Sequence, residues 1–342
     1  MQEKIFFQQG KEAVKLFSLR NASGFGADIS TLGAGIINLF VPDRDGELRD
    51  VALGFQKPTD YIKNVPYFSA VIGRVAGRIK NASLSIAGKS YRLPANENGN
   101  TLHSGGGWRR VIYDAVPDET GNSLSLRRTD PAGDGRDGFP GNLDVEIIYQ
   151  VTEDNELIID YAAKTDAPTV ANLTNHVYFN LNGAGAGSIA RHEFAINSSA
   201  YLELNKKLLP TGRKIGVIGS AFDLREPQSF GKLLPKLPGG FDHYFILETM
   251  QPGYMDAMAY SPDSGIELRF YTTESGIQFY TANSFTGKML GKQNRYCQPH
   301  DGFTLEAMSY PDACHHRSTF PSIELAPGDA YRQRTVYKFA VR

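Results

Sequence analysis

The stretch Leu143-Asp144-Val145-Glu146-Ile147-Ile148-Tyr149-Gln150-Val151 carries the clearest structural signal in the chain. Its odd-numbered positions are all apolar or aromatic, which predicts a β-strand with one buried face. The polar run Glu153-Asp154-Asn155 separates this stretch from Leu157-Ile158-Ile159-Asp160-Tyr161, a second strand-like segment. Two such segments joined by a short polar turn predict an antiparallel β-hairpin.

The same kind of signal continues on both sides of this hairpin. Ser83 to Leu93 predicts another hairpin, with Gly88-Lys89 between two short alternating runs. Further strands are predicted over Ile266–Tyr271, over Ile277–Ala282, and over Tyr331–Val341, where Tyr331, Thr335, Tyr337, Phe339 and Val341 share a face.

Helix signals are few. The candidates are Thr59–Lys63 and Phe230–Leu234, both short, and Pro235 ends the second. The sequence Gly33-Ala34-Gly35 leads into the strand-like Ile36–Phe40, not into a helix, which argues against a dinucleotide-binding βαβ unit. The 35 glycines and 18 prolines are spread evenly, so turns recur along the whole chain. We therefore predict an all-β fold, one large antiparallel β-sandwich with very little helix, as a single domain over residues 1–342.

Charge and composition restrict the function. Basic and acidic residues number 36 and 37, and no run of like charge stands out. Nucleic acids and acidic membranes need a concentrated basic face, so a small neutral ligand is the better expectation. The N-terminal MQEKIFFQQG lacks the apolar stretch of roughly 7–15 residues typical of a signal peptide. We predict a cytoplasmic protein whose two cysteines, Cys297 and Cys314, are reduced.

Two arginines lie in an otherwise apolar stretch, Val71-Ile72-Gly73-Arg74-Val75-Ala76-Gly77-Arg78-Ile79. A guanidinium in such surroundings needs partners, so Arg74 and Arg78 each either form an internal ion pair or face a ligand cleft. The sequence alone leaves both alternatives open for each residue.

Several other polar residues lie in segments that also contain many apolar residues. His176 lies in Asn172-Leu173-Thr174-Asn175-His176-Val177-Tyr178-Phe179-Asn180-Leu181, which indicates either an internal hydrogen-bond network or the wall of a polar site. Glu306 lies in the strand-like Gly302–Met308, where an unpaired carboxylate would be costly. His103 could be a solvated loop residue, and Asp242 could belong to a plain turn.

Metal binding has weak support. His315-His316 lies near Cys314 in the sequence, but adjacent histidines on a strand point to opposite faces, and neither CxxC nor HxxxH spacing occurs. A structural or surface role is the better interpretation. The sequence also lacks a G-x-S-x-G or P-loop motif, so acyl and phosphoryl transfer have no local support.

Taken together, the polar segments resemble the aldose 1-epimerase, or galactose mutarotase, family in order and spacing. The likeness runs from about residue 30 to the C-terminus. It rests on Gly73-Arg74-Val75-Ala76-Gly77-Arg78-Ile79, Thr101-Leu102-His103, Asp137-Gly138-Phe139-Pro140-Gly141, Asn172-Leu173-Thr174-Asn175-His176, Gly240-Phe241-Asp242-His243, Tyr271-Thr272-Thr273, Gln278-Phe279-Tyr280-Thr281 and Gly302-Phe303-Thr304-Leu305-Glu306. The resemblance implies a mutarotase-like supersandwich with an open cleft across one face.

The resemblance also implies a reaction and its residues. The activity would interconvert the α and β anomers of free aldohexoses such as glucose and galactose, without cofactor or metal. Glu306 would be the general base at the C1 hydroxyl, His176 the general acid at the ring oxygen, and His103 a second histidine near that oxygen. The ordinary pKa values of His and Glu, roughly 6.5 and 4.3, nearly permit a protonated His176 beside an ionised Glu306. Implied substrate-binding residues are Arg78, Asp242, Gln278, Tyr178 and Gly77.

Two departures from the family pattern concern the rim of the cleft. Gly77 stands where the family usually has Asn, and Ser104 separates His103 from the glycines that usually follow it directly. The loop around Trp108 also looks shortened. The reaction type is therefore better predicted than the preferred sugar.

Three alternatives remain at this point. A glycoside hydrolase would use Asp242 and Glu306 as its two carboxylates. A non-catalytic sugar-binding protein would not need both Glu306 and His176. An epimerase for a phosphorylated hexose would need a basic rim, for which Arg109-Arg110 is the candidate. The expected partner in every case is a small sugar, bound by a monomer or a homodimer.

Overall fold

The computed structural model describes residues 1–63, 65–119, 121–133, 138–248 and 253–342. Its strands in the first half of the chain are β1 Gln2–Gln9, β2 Glu12–Arg20, β3 Gly26–Ser30, β4 Ile36–Pro42, β5 Leu48–Asp50, β6 Val71–Ile72, β7 Arg78–Ile79, β8 Ser83–Ile86, β9 Lys89–Arg92, β10 Thr101–Leu102, β11 Asp114–Pro117, β12 Ser123–Asp130, β13 Leu143–Val151 and β14 Glu156–Thr165. Those in the second half are β15 Thr169–Val170, β16 Thr174–Asn175, β17 Glu193–Ile196, β18 Ala200–Leu204, β19 Pro210–Gly216, β20 Gln228–Ser229, β21 Asp242–Ile246, β22 Ala257–Tyr260, β23 Ile266–Thr272, β24 Gly276–Tyr280, β25 Thr304–Met308, β26 Glu324–Leu325 and β27 Tyr331–Val341.

Helices are short in the described ranges. One α-helical turn, α1, covers Phe230–Leu233, and 3-10 turns cover Pro58–Ile62, Lys80–Ala82, His103–Gly106, Trp108–Arg110, Lys292–Asn294 and Ala313–His315. Both helix candidates from the sequence therefore form a single turn each. No helix in the described part of the chain is long and apolar enough to cross a lipid bilayer.

Three antiparallel sheets dominate the described residues. A nine-stranded large sheet has the order β11-β12-β13-β14-β27-β23-β22-β17-β20. A five-stranded N-terminal sheet has the order β1-β2-β3-β4-β5, and a five-stranded cleft sheet has the order β19-β18-β21-β24-β25. The prediction of an all-β antiparallel sandwich with little helix is confirmed.

The apolar faces of these sheets form a continuous core. Phe194 of β17 in the large sheet packs on Phe279 of β24 in the cleft sheet, with ring centroids 5.0 Å apart. Tyr149 of β13 donates a hydrogen bond of 2.6 Å from its hydroxyl to the carbonyl of Ala34, beside the N-terminal sheet. The large sheet is therefore tied to both of the others.

The predicted hairpin around Glu153 is β13 and β14. Ile147 pairs with Tyr161, and the odd positions of β13 are all buried, as the alternation indicates. The second predicted hairpin is β8 and β9, but its turn is Ala87-Gly88, because Lys89 already belongs to β9. Of the segments that carry the family resemblance, Asp137 lies outside the described residues.

The last predicted strand has the bounds that the alternation gives, Tyr331–Val341. Thr335, Tyr337 and Phe339 are buried on its inner face, whereas Val341, at the end of the strand, is 46% exposed. This strand, β27, lies between β14 and β23 in the large sheet.

The strand register positions the cleft. Gln278 on β24 pairs with Tyr244 on β21 on one side and directly with Glu306 on β25 on the other. Asp242 begins β21 and pairs with Tyr280. Two short two-stranded ladders position the histidines of the cleft. β7 pairs with β10 just before His103, and β6 pairs with β16 just before His176.

Candidate active site

One cleft with a volume of about 590 Å³ lies over the cleft sheet. Every site residue expected from the sequence lines it, namely Gly77, Arg78, His103, His176, Tyr178, Asp242, Gln278 and Glu306. These residues come from parts of the chain more than two hundred positions apart, and the fold brings them together.

Glu306 and His176 are two buried titratable residues that face each other in this cleft. Nε2 of His176 lies 3.6 Å from Oε1 of Glu306. Thr304, two positions earlier on the same face of β25, donates its hydroxyl to Oε1 of Glu306 at 3.0 Å. Oε2 of Glu306 is buried and accepts no hydrogen bond from any described residue. The pair therefore has one fixed oxygen and one oxygen available to a ligand.

Burial changes the pKa of both groups, because it penalises the charged form of each. It raises the pKa of Glu306 to about 8, with Asp242 adding to the rise and Thr304 and Arg78 opposing it. It lowers the pKa of His176 to about 4. The expectation from ordinary pKa values, an ionised Glu306 beside a protonated His176, is therefore wrong for these two groups as they lie in the cleft. Between these pH values the pair holds one proton, and that proton resides on Glu306.

His103 is held by the backbone of Gly77. The Gly77 N–H donates to Nδ1 of His103 at 3.2 Å, and the His103 N–H donates to the Gly77 carbonyl at 2.9 Å. Because Nδ1 accepts, the neutral ring carries its proton on Nε2. Burial, followed by the charges of His176 and Arg78, lowers the pKa of His103 well below its ordinary value. His103 is thus a buried neutral hydrogen-bond donor, and the alternative of a solvated loop histidine is wrong.

The sequence left open whether Arg74 and Arg78 each form an internal ion pair or face a ligand cleft, and the structure gives a different answer for each. Arg74 is fully buried in an internal ion pair, with its Nε 2.8 Å from Oδ2 of Asp130. Arg78 lines the cleft, where Glu97 binds it through two contacts of 2.6 and 3.0 Å. Only Arg78 can therefore contact a ligand in the cleft.

Arg78 belongs to a chain of polar contacts along the cleft floor. Its Nη1 lies 3.9 Å from Oδ2 of Asp242, and Gln278 donates its side-chain amide to Oδ1 of Asp242 at 2.6 Å. Asp242 is also the first residue of strand β21 in the cleft sheet, so the alternative of a plain turn is wrong. These side chains present both donors and acceptors to a polar ligand.

Aromatic rings enclose the histidines. Tyr178 packs on His176 with ring centroids 5.0 Å apart, and Tyr67 stacks on His176 with ring centroids 5.8 Å apart. Tyr67 also meets the edge of His103 at 4.9 Å. Sequence reasoning identified Tyr178 but missed both Tyr67 and Glu97. Arg78 needs a carboxylate partner, which was a signal that some Asp or Glu must lie beside it. Nothing in Asn96-Glu97-Asn98 indicated that Glu97 is that partner.

Two groups of residues have the chemistry to hold a metal ion among the described residues. In the cleft, ligand atoms of His103, His176 and Glu306 lie within 4.8 Å of one another. The second group is Asp312, Cys314 and His315. The assignment of His315-His316 to opposite faces of a strand is wrong, because His315 ends a 3-10 turn and both rings lie near Asp312, at 2.6 and 3.9 Å.

The fold and the cleft define a class of protein: an antiparallel β-sandwich with an acid–base pair in an open, hydrogen-bonding cleft. Comparison with known proteins gives the family. Residues 15–338 match the family model described as aldose 1-epimerase. Galactose mutarotase of Rattus norvegicus is 40% identical over 334 residues, covering 97% of this chain and 96% of the relative. Aldose 1-epimerase of Escherichia coli is 32% identical over 336 residues, covering 95% of each.

Solved structures agree with the sequence relatives. An aldose epimerase homologue from C. elegans superposes with a TM-score of 0.89 at 28% identity, covering 96% of this chain and 99% of that chain. Galactose 1-epimerase from Lactobacillus acidophilus superposes with a TM-score of 0.86 at 25% identity, covering 99% and 98%. The chain belongs to the aldose 1-epimerase family.

Proposed function

We propose that this protein is an isomerase, an aldose 1-epimerase that interconverts the α and β anomers of free aldohexoses such as glucose and galactose. The observation that carries the proposal is the buried Glu306–His176 pair, 3.6 Å apart in the cleft. Anomer exchange needs one group to take the C1 hydroxyl proton and another to protonate the ring oxygen as the C1–O5 bond breaks.

In the proposed mechanism, the sugar first binds through its hydroxyls. Asp242 accepts hydrogen bonds from them, and Arg78 and Gln278 donate to them. The C1 hydroxyl donates to Glu306 and the ring oxygen accepts from His176. A hydrogen bond to a carboxylate favours its ionised form, so binding draws the shared proton from Glu306 towards His176.

The bond changes then follow from this protonation state. Glu306 removes the C1 hydroxyl proton, C1 becomes a carbonyl, and His176 gives its proton to O5 of the open chain. Rotation about C1–C2 presents the other face of the carbonyl, and the same steps in reverse close the ring. The pair ends with the proton distribution that it had at the start, so no external acid or base is consumed. His103, with its proton on Nε2, supports the ring oxygen as a neutral donor.

The contacts within the cleft disfavour the three alternatives. A glycoside hydrolase would use Asp242 and Glu306 as its two carboxylates, whereas here Glu306 is paired with His176 at 3.6 Å, and Asp242, beside Gln278 and Arg78, is suited to hold sugar hydroxyls. A binding module gains nothing from the buried acid–base pair. For a phosphorylated sugar, Arg109 is already engaged, with its guanidinium 4.6 Å from the centre of the Tyr67 ring and Nη1 donating to the Gly106 carbonyl.

Polarimetry of freshly dissolved α-D-glucose and α-D-galactose tests the proposal. We expect the protein to accelerate the approach to the equilibrium rotation without shifting its final value. A nitrophenyl glycoside supplies the comparison, because it has no free anomeric hydroxyl and should not react. Release of nitrophenol, or an unchanged rate of mutarotation, would contradict the proposal.

We also propose that residues 1–342 act as a single domain, which the continuous core from Phe17 to Phe339 supports. A cytoplasmic location stays part of the proposal; Cys297 and Cys314, both in the described ranges, are free cysteines. The absence of nucleic-acid and membrane partners, and the choice between monomer and homodimer, stay predictions.

A further inference from the structure

A cluster of metal-binding side chains lies outside the cleft, at the 3-10 turn Ala313–His315. We propose that Asp312, Cys314, His315 and His316, called here the 312–316 cluster, bind a divalent transition metal ion, with Zn²⁺ as the expected occupant. Carboxylate, thiolate and imidazole groups are the usual zinc ligands in proteins. The proposal does not depend on the proposed function, because none of these residues lines the cleft.

The donor atoms converge on one point. Nδ1 of His315 lies 2.6 Å from Oδ1 of Asp312 and 3.5 Å from Sγ of Cys314. In a catalytic Cys–His–Asp relay, the thiol and the carboxylate would contact different ring nitrogens. Here both contact the same nitrogen, which carries at most one proton and cannot serve as a relay. A cation among the three donors satisfies all of them at once.

The second carboxylate oxygen of Asp312 supplies an independent observation. The Asp312 side chain is 1% exposed, and its Oδ2 accepts no hydrogen bond from the described part of the chain. An unsatisfied buried carboxylate oxygen is costly. Nε2 of the His316 ring lies 3.9 Å from this oxygen. Bonds from zinc to oxygen and nitrogen are about 2.0–2.2 Å long, so a zinc ion can bridge this gap after small side-chain rotations.

The surroundings hold the ligands and leave an approach for the ion. Asp312 has a left-handed backbone conformation, with φ of 57°, and its Oδ1 also accepts a hydrogen bond from the Lys80 N–H at 3.0 Å. A Cβ on Gly212 would lie 3.1 Å from Nδ1 of His316, so the absence of a side chain there makes room for that ring. Cys314 borders a surface cavity of about 170 Å³, through which an ion can enter.

Cobalt titration of the full chain tests the site, because Co²⁺ replaces Zn²⁺ in such sites and a cobalt–thiolate bond has its own near-ultraviolet absorption. We expect this band to reach a plateau near one equivalent of Co²⁺ and to disappear on addition of Zn²⁺. Cys314→Ser should abolish the band, whereas the control Cys297→Ser should retain it. Cys297 lies in a separate apolar cluster with Tyr61 and Phe285.

A second measurement covers the case in which Cys314→Ser folds poorly. Zn²⁺ should protect Cys314 of the wild-type chain from alkylation by iodoacetamide, and His315→Asn and His316→Asn should each weaken Zn²⁺ binding by about tenfold or more. Cobalt binding without a thiolate band would show that Cys314 does not bind the ion and would overturn the proposal. Retention of the band in Cys314→Ser, or alkylation of Cys314 at the same rate with and without Zn²⁺, would also overturn it.

Discussion

Nε2 of His176 and Oε1 of Glu306 face each other across 3.6 Å, and the two groups hold a single proton over a wide pH range. Burial raises the pKa of Glu306 to about 8 and lowers that of His176 to about 4. Burial therefore keeps both side chains uncharged near neutral pH and leaves them one proton that either group can hold. The first three predictions follow from this relationship.

Replacing Glu306 by Gln removes the proposed base and keeps the shape of the side chain. We expect kcat to fall by about 10²–10⁴-fold, the usual contribution of general acid–base catalysis. The melting temperature should not fall, because a buried carboxyl with a raised pKa gains little from ionisation. Glu274→Gln is the matched control: Glu274 is a half-buried carboxyl with a pKa that is also raised, to about 7, but it lies outside the cleft. Near wild-type turnover in Glu306→Gln would show that the base is another residue.

The pH dependence of kcat/KM, which reports the pKa values of the protein without sugar, should be bell-shaped, with limbs near 4 and 8. Below the lower limb both groups are protonated and Glu306 cannot accept a proton. Above the upper limb both are deprotonated and His176 has no proton to give. These values belong to the coupled pair, not to either residue alone.

In the His176→Asn variant, the change of activity with pH on the alkaline side should have the opposite sign to that of the wild type. Its residual activity depends only on ionised Glu306, so it should rise through about pH 8, where the wild-type activity falls. Initial rates by polarimetry at sugar concentrations well below KM, corrected for the uncatalysed reaction at each pH, give both profiles. A wild-type profile that is flat from pH 5 to 9 would contradict the assignment.

Arg74→Met and Arg78→Met should have opposite effects. Loss of Arg74 leaves the carboxylate of Asp130 buried without one of its partners, and we expect unfolding free energy to decrease by about 3–5 kcal/mol. Loss of Arg78 should leave stability nearer to wild type and raise KM, because this guanidinium faces the cleft. Urea unfolding and steady-state kinetics of both variants provide the measurement. A raised KM in a stable Arg74→Met would mean that the two roles are interchanged.

Glu97→Gln tests whether the carboxylate positions Arg78. The variant keeps the shape of the residue but loses the charge on its two contacts with the guanidinium. We expect KM to rise by about tenfold with a smaller change in kcat, since a hydrogen bond between charged groups is worth about 1.5–3 kcal/mol. Glu156→Gln breaks a comparable ion pair, with Lys338 in the large sheet, and should leave KM unchanged. An equal effect of the two variants would make the role of Glu97 one of general stability.

Gly77→Asn would restore an amide at the cleft rim, and the structure adds a cost to that change. Gly77 has φ of +75°, and a Cβ there would lie 3.1 Å from Cβ of Pro311. We expect stability to fall by about 1 kcal/mol and KM to fall for at least one of glucose, galactose and xylose. Gly77→Ala has the same backbone strain without the amide, so it should lose stability with no gain in affinity. Identical KM values in the two variants would exclude an amide–sugar contact.

Much of this architecture follows from local pattern. The alternation of β13, β14 and β27 specifies which face is buried, and Pro235 and the scarcity of periodic apolar positions account for the short helices. The proposed catalytic pair was also predictable from the sequence, because Glu306 and His176 are titratable groups that lie among apolar residues. The shifted pKa values were not accessible, since they depend on how completely the assembled sheets exclude water.

Residues that act only through another residue were harder to predict. Glu97 is distinguished by its contact with Arg78, nineteen positions away, and Tyr67 by its contacts with two histidines from different ladders. Sequence alternation carries no information on such pairings. The 312–316 cluster was misjudged for a related reason: a strand was assumed where the chain forms a 3-10 turn, which brings neighbouring side chains near one carboxylate.

The position of β27 also has a consequence for the newly made chain. β27 joins β14 to β23 in the middle of the large sheet, yet it is translated after both of them. While the ribosome is still adding residues before Tyr331, the facing edges of these two strands have no partner to pair with. Unpaired edges are prone to association with other chains. Nascent chains stalled before Tyr331 should therefore depend on chaperones, and this dependence should end once the last strand has emerged and inserted.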